Sequence, residues 1–171
     1  MEFRPLTKDE IECRVGTCSD KGASLLLYKD SRCDMRILDE TYGIDNWQNS
    51  YETINGELFC TIMVRTELGD WVSKQSNGSP SNMEAEKGRA SDAFKRACFM
   101  LGIGRELYTA PFIWIPADKC NIKPGKNGKP ACYDRFRVQK IIIEEGRIKA
   151  VAIVNDNTKK VCFVWQEGGN G

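Results

Sequence analysis

Two rows of cations on one stretch of chain offer the clearest chemistry in this sequence. Arg89 and Arg96 stand seven residues apart, and Lys87, Ser91 and Lys95 repeat at intervals of four. On a helix advancing about 100° per residue, each set forms a stripe along one face. Lys and Arg side chains so arranged suit a row of phosphates, because they grip a nucleic-acid backbone without reading its bases. Asp92 is the one acid between Glu86 and Glu106, so the face is expected to be locally unneutralised. Phe99 projects between Lys95 and Arg96, and a large aromatic on a charged face calls for a partner, either another subunit or a base. An ordinary solvated face is the plain alternative.

The element that must position these groups is an amphipathic helix within Asn82 to Tyr108, stopped by Gly102 and Gly104. Ala90, Ala93, Phe94, Ala97, Cys98 and Leu101 fall within an arc of roughly 140°. Small residues on that arc let the helix lie close to a covering sheet. Upstream, Thr7 and Glu10 have capping-box spacing, which predicts a short helix through Val15. Ala23–Tyr28 reads as a buried strand or helix entry, and Arg32–Tyr42 as a helix with Met35, Ile37, Leu38 and Tyr42 inward and Gly43 as its stop. Strand candidates follow at Trp47–Ile54, Leu58–Thr66 and Trp71–Gln75, the first two joined by the hairpin signal Asn55-Gly56.

Beyond the long helix, Ala110–Ala117 is an apolar strip bracketed by prolines, read as an irregular or edge segment. Asp118–Pro130 is a lysine-bearing loop, and three strands at Phe136–Glu144, Arg147–Val154 and Lys159–Gln166 form a meander. The order of elements indicates an α+β fold: an antiparallel β-β-β-α core with an additional C-terminal β-meander. One domain is expected, with its core at about 20–115, the basic loop and meander at about 118–166, and a flexible tail at 167–171.

The chain has 171 residues and a net charge of +1, too little for a binder relying on bulk charge. The charge is polarised: residues 1–60 hold 7 basic and 12 acidic side chains, and residues 111–171 hold 11 and 6. With no histidine, Ser-His-Asp, Cys-His and HExxH machinery are excluded. No phosphate-binding GxxxxGK[ST] loop occurs, and no lysine has an acid two positions earlier, as one class of metal nuclease requires. The eight cysteines show no CxxC pair; a zinc site from Cys13, Cys18, Cys33 and one of Cys120 or Cys132 is the metal-binding alternative. No run of 18 apolar residues occurs, and the polar N-terminus is unlike a secretory signal, so a cytoplasmic, non-membrane protein without a cofactor is expected.

Three stretches carry a resemblance: YKDSRCDMRILDETYGIDNW (Tyr28 to Trp47), the meander ending GDWVSKQ, and EKGRASDAFKRACFMLGIGRELY. Together they resemble the annealing domain of Rad52-type recombination proteins, most nearly the phage and prophage branch called Sak-like. The pieces that carry most weight are Tyr42-Gly43 with Trp47, and the helix pattern of Asp92, Lys95, Arg96, Ala97 and Gly102.

The resemblance implies a non-enzymatic protein that binds single-stranded DNA and anneals complementary strands without ATP, in recombination and repair. It implies a homo-oligomer, ring or helical array, with DNA in a basic groove, and a single-strand-binding protein or exonuclease as a further partner. Lys95 and Arg96 correspond to the family's groove-lining pair, and Arg32 or Arg36 to an arginine on the preceding helix. Arg89, Lys87, Lys74 and Phe99 complete the candidate DNA-binding set; at Phe99 the eukaryotic branch places a basic residue. Trp47 and Trp71 read as packing residues, and Arg105 as a cation near the helix C-terminus. The competing readings are a double-stranded nucleic-acid-binding module and a metal-dependent nucleic-acid enzyme.

Overall fold

The computed structural model describes residues 3–79 and 85–169, with the side chains of 85–87 outside the description. The chain forms two compact units: one of Met1–Arg4 with Asp30–Gly104, the other of Pro5–Lys29 with Arg105–Gly171.

The first unit holds helix α1 (Ser31–Tyr42), strands β3 (Trp47–Ile54), β4 (Glu57–Arg65) and β5 (Trp71–Asn77), and helix α2 (Ala85–Leu101). Asp30 caps α1 by accepting from the Cys33 amide at 2.8 Å, and Gly43, at φ 76°, ends it. The strands form an antiparallel sheet in the order β3-β4-β5. Asn55 and Gly56, at φ 52° and 81°, supply the two left-handed residues that a tight β3–β4 turn demands.

Alternation along β4 sets the two faces. Cys60, Ile62 and Val64 are buried, while Thr61 and Met63 are half-covered and Arg65 is exposed on the other side. Helix α2 packs over β4 and β5. It buries Ala93, Phe94, Ala97 and Cys98, the heart of the arc expected from sequence. The approach is close at Gly78, where a Cβ would sit 2.2 Å from the Arg89 carbonyl oxygen. Trp47 joins three elements, donating from Nε1 to Asp39 of α1 at 2.7 Å while its ring meets Phe94 of α2 edge-on at 6.2 Å. Trp47 is therefore a packing residue, whereas Trp71 lies 48% exposed beside Arg65.

The second unit holds β1 (Glu12–Ser19), β2 (Gly22–Tyr28), β6 (Ile113–Pro116), β7 (Ile122–Pro124), β8 (Pro130–Cys132), β9 (Phe136–Glu144), β10 (Arg147–Asn155) and β11 (Lys160–Gln166). Six of these form one sheet in the order β11-β10-β9-β1-β2-β6, and β7 and β8 form a separate hairpin. The edge strands β6 and β11 also touch, so the larger sheet curls toward closure. Bulges in β1 and in the β9–β10–β11 meander supply local bending. Leu25, Ile113, Ile115, Val138, Val151 and Ile153 are buried.

The expected first helix is corrected. Glu10 does accept from the Thr7 amide at 2.9 Å, but it closes only a single 3-10 turn at Lys8–Glu10. Residues 12–19 then pair as β1 with β2, because an edge-to-edge partner in the chain outweighs a local cap. Two further expectations shift. Met35 is 38% exposed, while Cys33 and Asp34 are buried on α1. The Asp118–Pro130 loop contains the short β7–β8 hairpin.

Burial holds several thiols protonated. Cys13 and Cys120 are pushed up to about 12 and Cys60 to about 11. All eight cysteines are free thiols. Among the described residues no three Cys, Asp or Glu side chains are arranged to hold a metal ion. No described helix is long and apolar enough to cross a membrane.

Candidate nucleic-acid interface

Helix α2 divides its side chains by the 3.6-residue period. Ala93, Phe94, Ala97 and Cys98 are fully buried, which sends Lys95, Arg96 and Phe99 toward the flank and the open side. Arg96 is exposed; Lys95 and Phe99 are half-buried. Lys95 makes no ion pair or hydrogen bond among the described residues, so its ammonium is available to an outside anion.

Arg96 is differently placed. Its Nε donates to Asp92 Oδ2 at 2.9 Å, and Nη2 donates to the Ser79 hydroxyl at 3.1 Å. The same Asp92 oxygen accepts from the Ser79 amide at 2.9 Å. One carboxylate thus ties the residue after Gly78 to α2 and partly neutralises Arg96. This corrects the expectation of an unneutralised face. The Asp-to-Arg spacing of four residues is a helical ion-pair signal that the sequence already carried; Ser79 could not be read from it. Both partners remain open to water, at 50% and 31% side-chain exposure, so the pair is weak enough for another anion to displace.

Arg89, seven residues before Arg96 on the same helix, is half-buried, and its Nε is enclosed without a hydrogen-bond partner among the described residues. Lys87 belongs to α2 by its backbone, and its side chain lies outside the described residues. Arg32 and Arg36, one turn apart, are both exposed on α1, opposite the buried Cys33, Ile37 and Leu38. Helix α1 contacts α2, so both helices of the unit carry exposed cations. Lys74 pairs with Ile62 across β4–β5, which puts it on the helix-covered side of the sheet, exposed at an edge strand.

The whole first unit is nevertheless acidic, with nine basic and thirteen acidic residues, against sixteen and eleven in the second. Cations on α1 and α2 are therefore local features on an anionic background.

Comparison with known proteins supplies the class. Residues 3–123 match the Rad52/22 family of double-strand break repair proteins. The chain belongs to that family. The matched stretch includes the whole of the first unit's α1, β3, β4, β5 and α2, with Lys95 and Arg96, and it ends inside β7. Strands β8 to β11 of this Rad52/22 family member lie beyond the match. The single-stranded DNA-binding protein DdrA of Deinococcus radiodurans is 34% identical over 103 residues, which are 60% of this chain and 49% of that protein. The chain therefore spans about half the length of that relative.

Proposed function

We propose that this Rad52/22 family member binds single-stranded DNA and anneals complementary strands in recombination and repair, without ATP and without catalysing a covalent step. The observation that carries the reading is the pair Lys95 and Arg96, carried on α2 inside the family-matched stretch, one cation unpaired among the described residues and the other held by a displaceable carboxylate. Similarity to a relative named for single-stranded DNA binding supports the choice of ligand.

Physically, annealing needs backbone contacts that leave base edges free to test a complement. Lys95 and Arg96 would contact phosphates, with Arg32 or Arg36 of α1 adding a contact and Lys74 and Lys87 further ones. Phe99 would stack on a base or on a neighbouring copy. A few weak contacts per chain become effective when many copies repeat along one strand, in a ring or helical array acting as a single annealing domain per copy. A phage or prophage source and a cytoplasmic site of action belong to the same reading.

The test is annealing of complementary fluorescent oligonucleotides by the parent and by Lys95→Ala/Arg96→Ala. Loss of annealing with an unchanged circular dichroism spectrum is expected. A folded double variant that anneals at the parent rate ends the proposal, and stronger binding to duplex than to single strands would favour the double-stranded module instead.

A further inference from the structure

The positive charge of the second unit is concentrated at one end. Segments 118–137 and 155–160 hold eight basic and three acidic residues, while the rest of that unit is balanced at eight and eight. The whole excess of the unit therefore resides in these two segments.

A buried polar knot brings them together. Asn155 is fully buried at the end of β10. Its Nδ2 donates to the Lys119 carbonyl at 3.1 Å and to Asp134 Oδ2 at 2.7 Å, and its Oδ1 accepts from the Asn157 amide at 2.9 Å. Asp134 also accepts from the Asn121 amide at 2.9 Å. The Arg135 amide donates to Asn157 Oδ1 at 2.8 Å, and the Asp156 amide to the Arg135 carbonyl at 2.8 Å. Three stretches far apart in sequence, around 119, 135 and 157, are thereby held side by side.

The acids at this end are largely used internally. Asp134 is turned into the knot, and Asp156 pairs with Arg137 at 2.7 Å. Lys119, Arg135, Lys159 and Lys160 are all exposed and form no ion pair among the described residues. The adjoining β7–β8 hairpin adds three more exposed lysines, and Tyr133 stands 66% exposed between hairpin and knot.

We propose that this end of the second unit is a second nucleic-acid contact, a phosphate-gripping surface that starts at the end of the family-matched stretch, lies mostly beyond it, and uses none of the α2 residues. Its chemistry fits a polyanionic backbone: spread cations and an exposed aromatic for stacking. The inference takes nucleic acid as the ligand from the reading above but does not depend on the α2 contact.

The test measures affinity for a single-stranded oligonucleotide against salt, for the parent, for Lys95→Ala/Arg96→Ala and for Lys119→Gln/Arg135→Gln/Lys159→Gln/Lys160→Gln. Each lost phosphate contact lowers the log–log slope by about 0.7, so the quadruple variant should lose between about two and three in slope. A triple Gln replacement of Lys123, Lys126 and Lys129 gives a second arm that leaves the knot untouched, and its slope should fall too. Parental slopes in both arms, while the parent binds and the α2 variant is impaired, overturn this proposal and leave the α2 reading standing. No binding by the parent removes both. Polyglutamate binding the parent more tightly than the oligonucleotide, with that advantage lost in the quadruple variant, assigns the surface to an acidic protein and also overturns the proposal.

Discussion

Asp92 gives the α2 reading its sharpest test, because it makes two neighbouring cations unequal. Lys95 has no ion-pair partner among the described residues, whereas Arg96 has an anion at 2.9 Å before any DNA arrives. A phosphate that meets Lys95 releases condensed counterions in full, so Lys95→Ala should lower the salt slope by about 0.7. Asp92 is a tethered counterion and releases nothing to solution. Arg96→Ala should therefore lower the slope by clearly less, even though total affinity falls. The pair itself, half open to water, is worth only about 0.3–0.5 kcal/mol, so DNA can displace it. Asp92→Asn keeps an acceptor for the Ser79 amide but frees the guanidinium charge. It should steepen the slope by up to about 0.7, which across a fourfold salt range changes affinity by about threefold. Fluorescence anisotropy titrations from 50 to 200 mM salt would read all three. Equal losses for Lys95→Ala and Arg96→Ala, with Asp92→Asn unchanged, would show that the Asp92 pair does not shape binding. Flat slopes in all three would remove α2 from the DNA contact.

Three further outcomes follow from the packing. Gly78→Ala places a methyl 2.2 Å from the Arg89 carbonyl, so the helix must lift from the sheet at a cost of about 2 kcal/mol or more; an unshifted urea midpoint would refute that close approach. Asn155→Ala takes one donor from the Asp134 carboxylate, leaves the Asn157 and Thr158 amides without their acceptor around a buried site, and should cost about 3 kcal/mol, measured the same way, with parental stability counting against the knot. Raised thiol pKa values set a pH dependence: Cys13, Cys60 and Cys120 bind their protons more tightly folded than unfolded, so stability is whole below about pH 9 and falls as pH rises toward 11 to 12. Denaturant midpoints that stay level from pH 8 to 10.5 would contradict it.

Local signals were readable where neighbours in sequence are neighbours in space. Gly43 stops α1, Asn55-Gly56 turns β3 into β4, and alternating apolar residues mark β9 to β11. The alanine-rich arc of α2 announced its buried face because that arc depends only on helical period. Residues 12–19 show the limit. Their capping box is real, yet pairing with β2 extends the chain just after it, and a cap contributes less than a ladder of strand hydrogen bonds. Charge read along the chain, acidic first and basic last, also misplaces the N-terminal hairpin, which folds with the C-terminal strands.

What the linear order determined by itself was the set of groups able to meet a phosphate and the helix that carries Lys95 and Arg96, since covalent spacing fixes both. Tertiary structure alone decided that Ser79 joins Asp92 in holding Arg96, that Arg89 is half-buried, and that Lys119, Arg135 and Lys159 meet around Asn155. Those relations depend on chain segments separated by 13 to 36 residues, and no local preference encodes which distant segments will close against each other.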